Sequence, residues 1–170
     1  PFPQLEEAVL DLWRPERVYA RSVEKNAGAQ EFTFFEGPPT ANNTPHVGHV
    51  LTRVVKDLFP RFQTMRGKRV ARKAGWDTHG LAVEIEVEKR LGLAGKRDIE
   101  QLVPGDTRAS IERFNRACHD SVMTYERQWR AMTERVGYWV DLDDAYFTYS
   151  NRYIESVWWA LGELYGKQLL

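Results

Sequence analysis

The sequence predicts an α/β domain, a parallel sheet with flanking helices, and three observations predict it. A short aromatic run, Phe32 to Glu36, breaks at Gly37-Pro38-Pro39; a helical apolar stripe follows from Val47 to Phe62; and Lys68 to Trp76 returns as a second extended run after Gly67. A strand, a helix and a second strand in that order make a βαβ unit, for which parallel strands and a right-handed crossover are the rule. With 170 residues, 42% hydrophobic and 12% aromatic, the chain has the material for one globular domain with a real core.

Each element follows from its local pattern. Leu5, Val9, Leu12 and Trp13 recur at helical spacing behind Pro3, and a polar stretch with Asn26 and Gly28 closes that opening unit, so residues 1–30 read as a helical lead-in. Phe32 to Glu36 is bounded and aromatic, as a buried strand is, and the Gly-Pro-Pro triplet ends it. Val47, Val50, Leu51, Val54, Val55, Leu58, Phe59 and Phe62 share one helical face, which calls for a surface to pack on, and Pro60 predicts a bend near Lys56. Between Leu81 and Glu88 the apolar and acidic residues alternate, which by pattern alone fits a half-exposed strand. From Arg108 to Val136 the positions Ile111, Phe114, Cys118, Val122, Tyr125, Trp129 and Met132 predict a long amphipathic helix capped by Asp106 or Thr107. Asp141 to Asp144 reads as an acidic loop, and a last helix starts near Asn151, with Ile154, Val157, Trp158, Leu161 and Leu164 in need of a partner surface.

Composition removes several function classes. Lys plus Arg and Asp plus Glu both total 24, so overall charge announces neither a nucleic-acid nor a membrane surface. A single cysteine, Cys118, excludes an internal disulfide and a thiolate zinc site built from this chain alone, so no zinc is expected. No apolar run approaches the roughly 20 residues that span a bilayer, and no signal-peptide pattern opens the chain, so a cytoplasmic protein without membrane contact is expected. The start at Pro1 and the stop at Leu170 both look cut.

The chemistry concentrates at the strand-loop-helix junction from Glu36 to His49. A helix that begins just after a parallel strand presents unpaired N–H groups and a positive dipole end, which favour an anion. His46 and His49, on the first turn, can donate to phosphate oxygens, and Gly48 between them lets a nucleotide approach the backbone. Neither a Walker lysine motif nor a dinucleotide glycine fingerprint is present.

These residues resemble a known family. His46-Val-Gly-His49 is similar to the His-Ile-Gly-His signature of class I aminoacyl-tRNA synthetases, and Gly75-Trp-Asp-Thr-His-Gly-Leu-Ala-Val-Glu84 resembles a block of the isoleucyl enzymes. The likeness extends over nearly the whole chain, and it overrules the strand pattern of Leu81 to Glu88 in favour of a helix. Ala82 stands where the family usually has Pro, and Asn43-Thr44 where it usually has Gly-Leu; Asn tolerates left-handed dihedrals, so the loop is expected to keep its shape.

The resemblance implies a Rossmann-like half-domain, with residues 1–170 forming the N-terminal, incomplete part of a nucleotide-binding catalytic domain. It implies amino-acid activation, in which the carboxylate of isoleucine attacks the α-phosphorus of ATP, held as its Mg2+ complex, to give an adenylate and pyrophosphate before transfer to tRNA(Ile). It places His46 and His49 as catalytic residues on the phosphates, Gly48 beside them, and Thr40 as a weaker ATP contact. Asp77 would hold the substrate ammonium, and Gly37 and Pro38 would wall the isoleucine side chain. The remaining domains of a parent synthetase are implied partners. The alternative is a non-catalytic nucleotide-binding or partner-binding module derived from a synthetase.

Plainer roles compete at several positions. Asp77 could cap the next helix through Thr78 and His79, and His46, His49, His79 and Asp77 could be imagined as a metal site, although no HExxH spacing supports one. Arg66, Lys68, Arg69, Arg72 and Lys73 read as a solvated strand edge, with an RNA-backbone role as the alternative.

Overall fold

The computed structural model describes residues 1–170 throughout. In chain order the elements are α1 (Phe2–Trp13), α2 (Val18–Lys25), β1 (Phe34–Phe35), α3 (Val47–Met65), β2 (Arg72–Trp76), α4 (Leu81–Leu91), α5 (Lys96–Ile99), α6 (Thr107–Arg135), β3 (Asp141–Phe147) and α7 (Asn151–Gly166). The strands form one sheet in the order β1-β2-β3. β1 and β2 run parallel with Phe34 opposite Arg72 and Phe35 opposite Lys73, and single bridges join Glu31 to Arg69 and Thr40 to Asp77. The expected α/β class and the βαβ order are therefore present, with β1 shorter than its aromatic run.

Two compact units share the chain. One comprises Pro1–Gly37, Thr44–Ala74 and Gln128–Ala145; the other comprises Pro38–Asn43, Gly75–Arg127 and Tyr146–Leu170.

In the first unit, Ala74, Tyr138 and Val140 are buried, with Phe34, Val136, Leu142 and Ala145 packed against them. The lead-in is tied down by Asn26, whose side-chain amide donates to the Lys68 carbonyl at 2.8 Å and to that of Thr64 at 3.2 Å. α3 inverts the sequence expectation. Its buried residues are Arg53, Asp57 and Pro60, at helical steps of four and three, while Val47, Leu51, Val54, Val55, Leu58, Phe59 and Phe62 remain 49 to 83% exposed. The apolar stripe is real, but this chain buries the opposite face because a charge network holds it there. Arg72, fully buried, donates to the Asp57 carboxylate and to the Trp139 carbonyl, each at 3.1 Å, and Arg61 donates to the other Asp57 oxygen at 2.5 Å. Burial pushes the Asp57 carboxyl up from its ordinary range, while Arg61 and Arg72 pull it back. Arg72 is thus no part of a solvated edge; of its basic neighbours, Arg69 pairs with Glu31 and Lys73 with Asp144. α3 continues through Pro60 to Met65, where Thr64 returns its hydroxyl to the Pro60 carbonyl at 2.8 Å.

In the second unit, Ala41, Val83 and Val122 form the core, with Cys118, Tyr125 and Tyr149 against them. Burial there pushes the Cys118 thiol up to about 11. The alternating stretch after Gly80 is helix, as the family resemblance implied against the local pattern: Val83 and Val87, four apart, are both buried, and Tyr125 donates to Glu86 at 3.1 Å. Asp106 caps α6 by accepting from the Ala109 N–H at 2.9 Å, which settles the cap in its favour over Thr107. Gly75 has no room for a side chain, since a Cβ would stand 2.2 Å from the Tyr146 ring. α7 is capped by Ser150 and buries none of its residues.

The acidic stretch from Asp141 opens β3 rather than forming a loop. Asp141 accepts from the N–H groups of Asp143 and Asp144 at 3.1 and 3.0 Å, and Arg130 pairs with Asp143, so charge that would oppose extension is screened locally.

Candidate active site

The mouth of α3 belongs to the first unit. His46 is the N-cap, in extended backbone, and its Nδ1 accepts from the Gly48 N–H at 3.1 Å; the His46 N–H in turn donates to Nδ1 of His49, also at 3.1 Å. This is a reciprocal cap of the box type, with imidazoles in the acceptor roles. A nitrogen that accepts from a backbone N–H carries no proton there, so in this cap Nε2 is the ring nitrogen of each histidine left to donate. The geometry makes each histidine a hydrogen-bond donor at its outer nitrogen. Burial first, then the charges of His46 and Arg53, hold the His49 imidazole below its ordinary pKa.

Gly48 serves this pair in a way the sequence did not suggest. A Cβ there would lie 3.0 Å from Cε1 and 3.1 Å from Nδ1 of His46, so the missing side chain makes room for the cap itself.

Beneath the mouth, Glu36 at the end of β1 is only 3% exposed. The Tyr138 hydroxyl donates to it at 2.6 Å, and Lys56 of α3 pairs with it while donating to the Gly37 carbonyl at 3.1 Å. Burial and the facing carboxylate raise the Tyr138 hydroxyl well above its ordinary pKa. Gly37 is thereby fixed through its backbone.

The second unit carries Pro38, Thr40 and Asp77. Pro38 is half-buried. Thr40 directs its hydroxyl to Asp77 Oδ2 at 2.9 Å, and the Thr148 hydroxyl stands 3.5 Å from Oδ1. The backbone fixes Asp77 as well, its N–H donating to Pro39 and its carbonyl accepting from Ala41, at 3.0 and 2.8 Å. Thr148, buried, accepts from the Thr78 N–H at 2.9 Å and lies 2.7 Å from Nδ1 of His79. α4 starts at Gly80 with no side-chain cap, so Asp77 does not cap it.

The structure therefore gathers His46, Gly48 and His49 at one helix mouth and joins Thr40 to Asp77 at the end of β2. Thr40 has one proton, and Asp77 takes it, so a phosphate bond from Thr40 requires that link to break. No group of three or more His, Cys, Asp or Glu side chains is gathered as a metal site. Sequence reasoning missed Lys56, Tyr138 and Thr148, and treated Trp129 as core alone. Arg53 and Lys56, four and seven residues after His49, carried a usable signal: charges on the helix face that leads back from the signature. Thr148 carried none.

Comparison with known proteins accords with this arrangement. The profile of the family described as tRNA synthetases class I (I, L, M and V) matches residues 8–170. The isoleucine–tRNA ligase of Thermus thermophilus is 56% identical over 99% of this chain, and that of Clostridium kluyveri is 54% identical over the same 99% share. The chain spans 16% of the length of each. Among solved structures, LeuRS of Agrobacterium radiobacter, in a ternary complex with tRNA and LeuAMS, matches 96% of this chain and 18% of its own with a TM-score of 0.65 at 18% identity, a likeness of fold. With a family profile covering nearly its whole length, and the family's paired histidines seated at a helix mouth behind a parallel strand, the chain belongs to the class I tRNA synthetases of the I, L, M and V group.

Proposed function

We propose that residues 1–170 are the N-terminal part of the catalytic domain of an isoleucine–tRNA ligase, binding ATP and isoleucine to form isoleucyl-adenylate for transfer to tRNA(Ile). In the reaction a carboxylate oxygen of isoleucine bonds to the α-phosphorus of Mg2+-bound ATP and pyrophosphate departs. No protein nucleophile takes part. The protein aligns attack and stabilises the charge that grows on phosphate oxygens. His46 and His49 donate from Nε2 to those oxygens, and Gly48 keeps the approach open. Asp77, braced by Thr40 and Thr148, holds the substrate ammonium, and Gly37 and Pro38 line the side-chain wall.

The observation that carries the proposal is the reciprocal cap at α3, which occupies Nδ1 of both histidines and leaves Nε2 as the donor of each ring. Identity of 56% to a ligase favours this reading over a non-catalytic derivative. A cytoplasmic setting, tRNA(Ile) and the other domains of a longer parent come with it. The unsatisfied apolar face of α3 supports the view that further chain completes the domain.

Isoleucine-dependent ATP–pyrophosphate exchange tests the proposal, run on this chain and on the full-length parent. The parent is expected to exchange, to lose about a hundredfold to a thousandfold in rate on His49→Ala, and the isolated chain to show little. Exchange that depends on another amino acid and not on isoleucine would refute the substrate assignment.

A further inference from the structure

In the first unit a chain of contacts through five side chains ends at the signature. The Tyr138 ring lies 5.4 Å from the Arg53 guanidinium, and Arg53 lies 5.0 Å from the Trp129 ring centroid. Trp129 meets the His49 ring at 4.5 Å with a 57° tilt, and His49 meets His46 at 3.7 Å with a 31° tilt. Trp129, Arg53 and Tyr138 are 2, 4 and 5% exposed. The inner end is fixed by the Tyr138 hydroxyl on Glu36.

Consider the freedom left to His49. Its Nδ1 is held by the His46 N–H, one ring face meets the other imidazole and the ring also meets an indole. Rotation about the Cβ–Cγ bond breaks the hydrogen bond and disturbs the contacts with both rings. The indole is itself held in a cation–π contact with the Arg53 guanidinium and is 2% exposed. Arg53 itself is four residues from His49 on α3, so helix geometry locks its position relative to the imidazole.

We infer that Trp129 is a positioning residue for the activation step: its indole, backed by Arg53, fixes the direction in which His49 presents its Nε2 proton. The inference rests on the phosphate role proposed for His49. Trp129 touches no substrate in this account; it acts through the imidazole. Catalysis by positioned donors depends steeply on placement, and a displacement of about 1 Å costs about a hundredfold in rate. A leucine at 129 leaves the hydrophobic position filled but removes the aromatic ring that meets His49.

The experiment is a double-mutant cycle in the full-length parent, read as ATP–pyrophosphate exchange per active site, with sites counted by adenylate burst. Trp129→Leu is expected to lower kcat about tenfold to a hundredfold, to leave the KM for isoleucine within about threefold, and to lose less than about twofold further activity when placed on His49→Ala. Trp129→Phe, which restores a ring, is expected to regain most of the rate. A per-site kcat for Trp129→Leu within about twofold of the parent overturns the inference, as does a loss that multiplies fully onto His49→Ala, because a merely structural tryptophan behaves so. Should Trp129→Leu fail to fold, Trp129→Met keeps volume without an aromatic face and is judged by the same criteria. An unchanged rate for His49→Ala alone removes the phosphate reading instead, and the inference with it.

Discussion

At the scale of single residues, the histidine cap ties proton state to function. Nδ1 of His49 accepts from a backbone N–H only while the ring is neutral. Its pKa lies below the ordinary 6.5 in the folded chain, so on acidification the unfolded chain takes up the proton first. The stability this group contributes is whole above pH 6.5 and is lost as pH falls from there through the lowered folded value. Melting temperature, followed from pH 8 downward (about the ordinary working range,), is expected to fall on the acid side, and His49→Gln is expected to flatten part of that slope; equal slopes would contradict the cap. Gly48 gives a second check. An alanine gains helix propensity but presses on the His46 ring, so Gly48→Ala is expected to melt within a few degrees of the parent yet exchange about tenfold more slowly. The sequence placed His46, His49 and Gly48 at the mouth correctly. It could not show that Gly48 also makes room for a ring, because that depends on the rotamer of His46. Nor did Asn43 need a left-handed backbone: the non-glycine residues at positive φ are Arg17 and Gln168.

At the scale of elements, the lesson lies in which face wins. The α3 pattern offers two faces, and periodicity alone favours the apolar one, yet the chain packs Arg53, Asp57 and Pro60 inward because Arg72 on β2 supplies a counter-charge that no local window of sequence reveals. Asp57→Asn leaves the Arg72 cation buried without its partner and is expected to cost about 3 kcal/mol in urea unfolding, whereas an exposed pair such as Arg116–Glu112 is expected to contribute less than about 1 kcal/mol. In the stretch after Gly80 the alternation by itself suited a strand, and the burial of Val83 and Val87, with Val83 packed among Val122 and Tyr125, has a helical spacing. The long helix, both principal strands and the final helix were legible because each has bounded apolar runs with turn residues at its ends. On β2, Gly75→Ala pushes a methyl into the Tyr146 ring and is expected to destabilise by about 1–3 kcal/mol.

At the scale of the whole molecule, the unit cores are small and much apolar surface stays outside. Leu51, Leu58 and Phe62 on α3, and Trp158 and Trp159 on α7, are all 49% exposed or more, which is unusual for a soluble domain standing alone. If a longer parent covers the α3 face, Leu51, Leu58 and Phe62 changed together to Gln leave the melting of this chain within a few degrees and lower that of the parent markedly; equal effects in both would argue against coverage. The helix mouth, with Nε2 of His46 and His49 as phosphate donors, is probed by exchange in His49 variants of the parent. His49→Gln places an amide N–H near the Nε2 position, while His49→Asn keeps an acceptor for the His46 N–H and lacks that reach. The account predicts that Gln retains at least about ten times the exchange rate of Asn. Asn equal to or faster than Gln would contradict it.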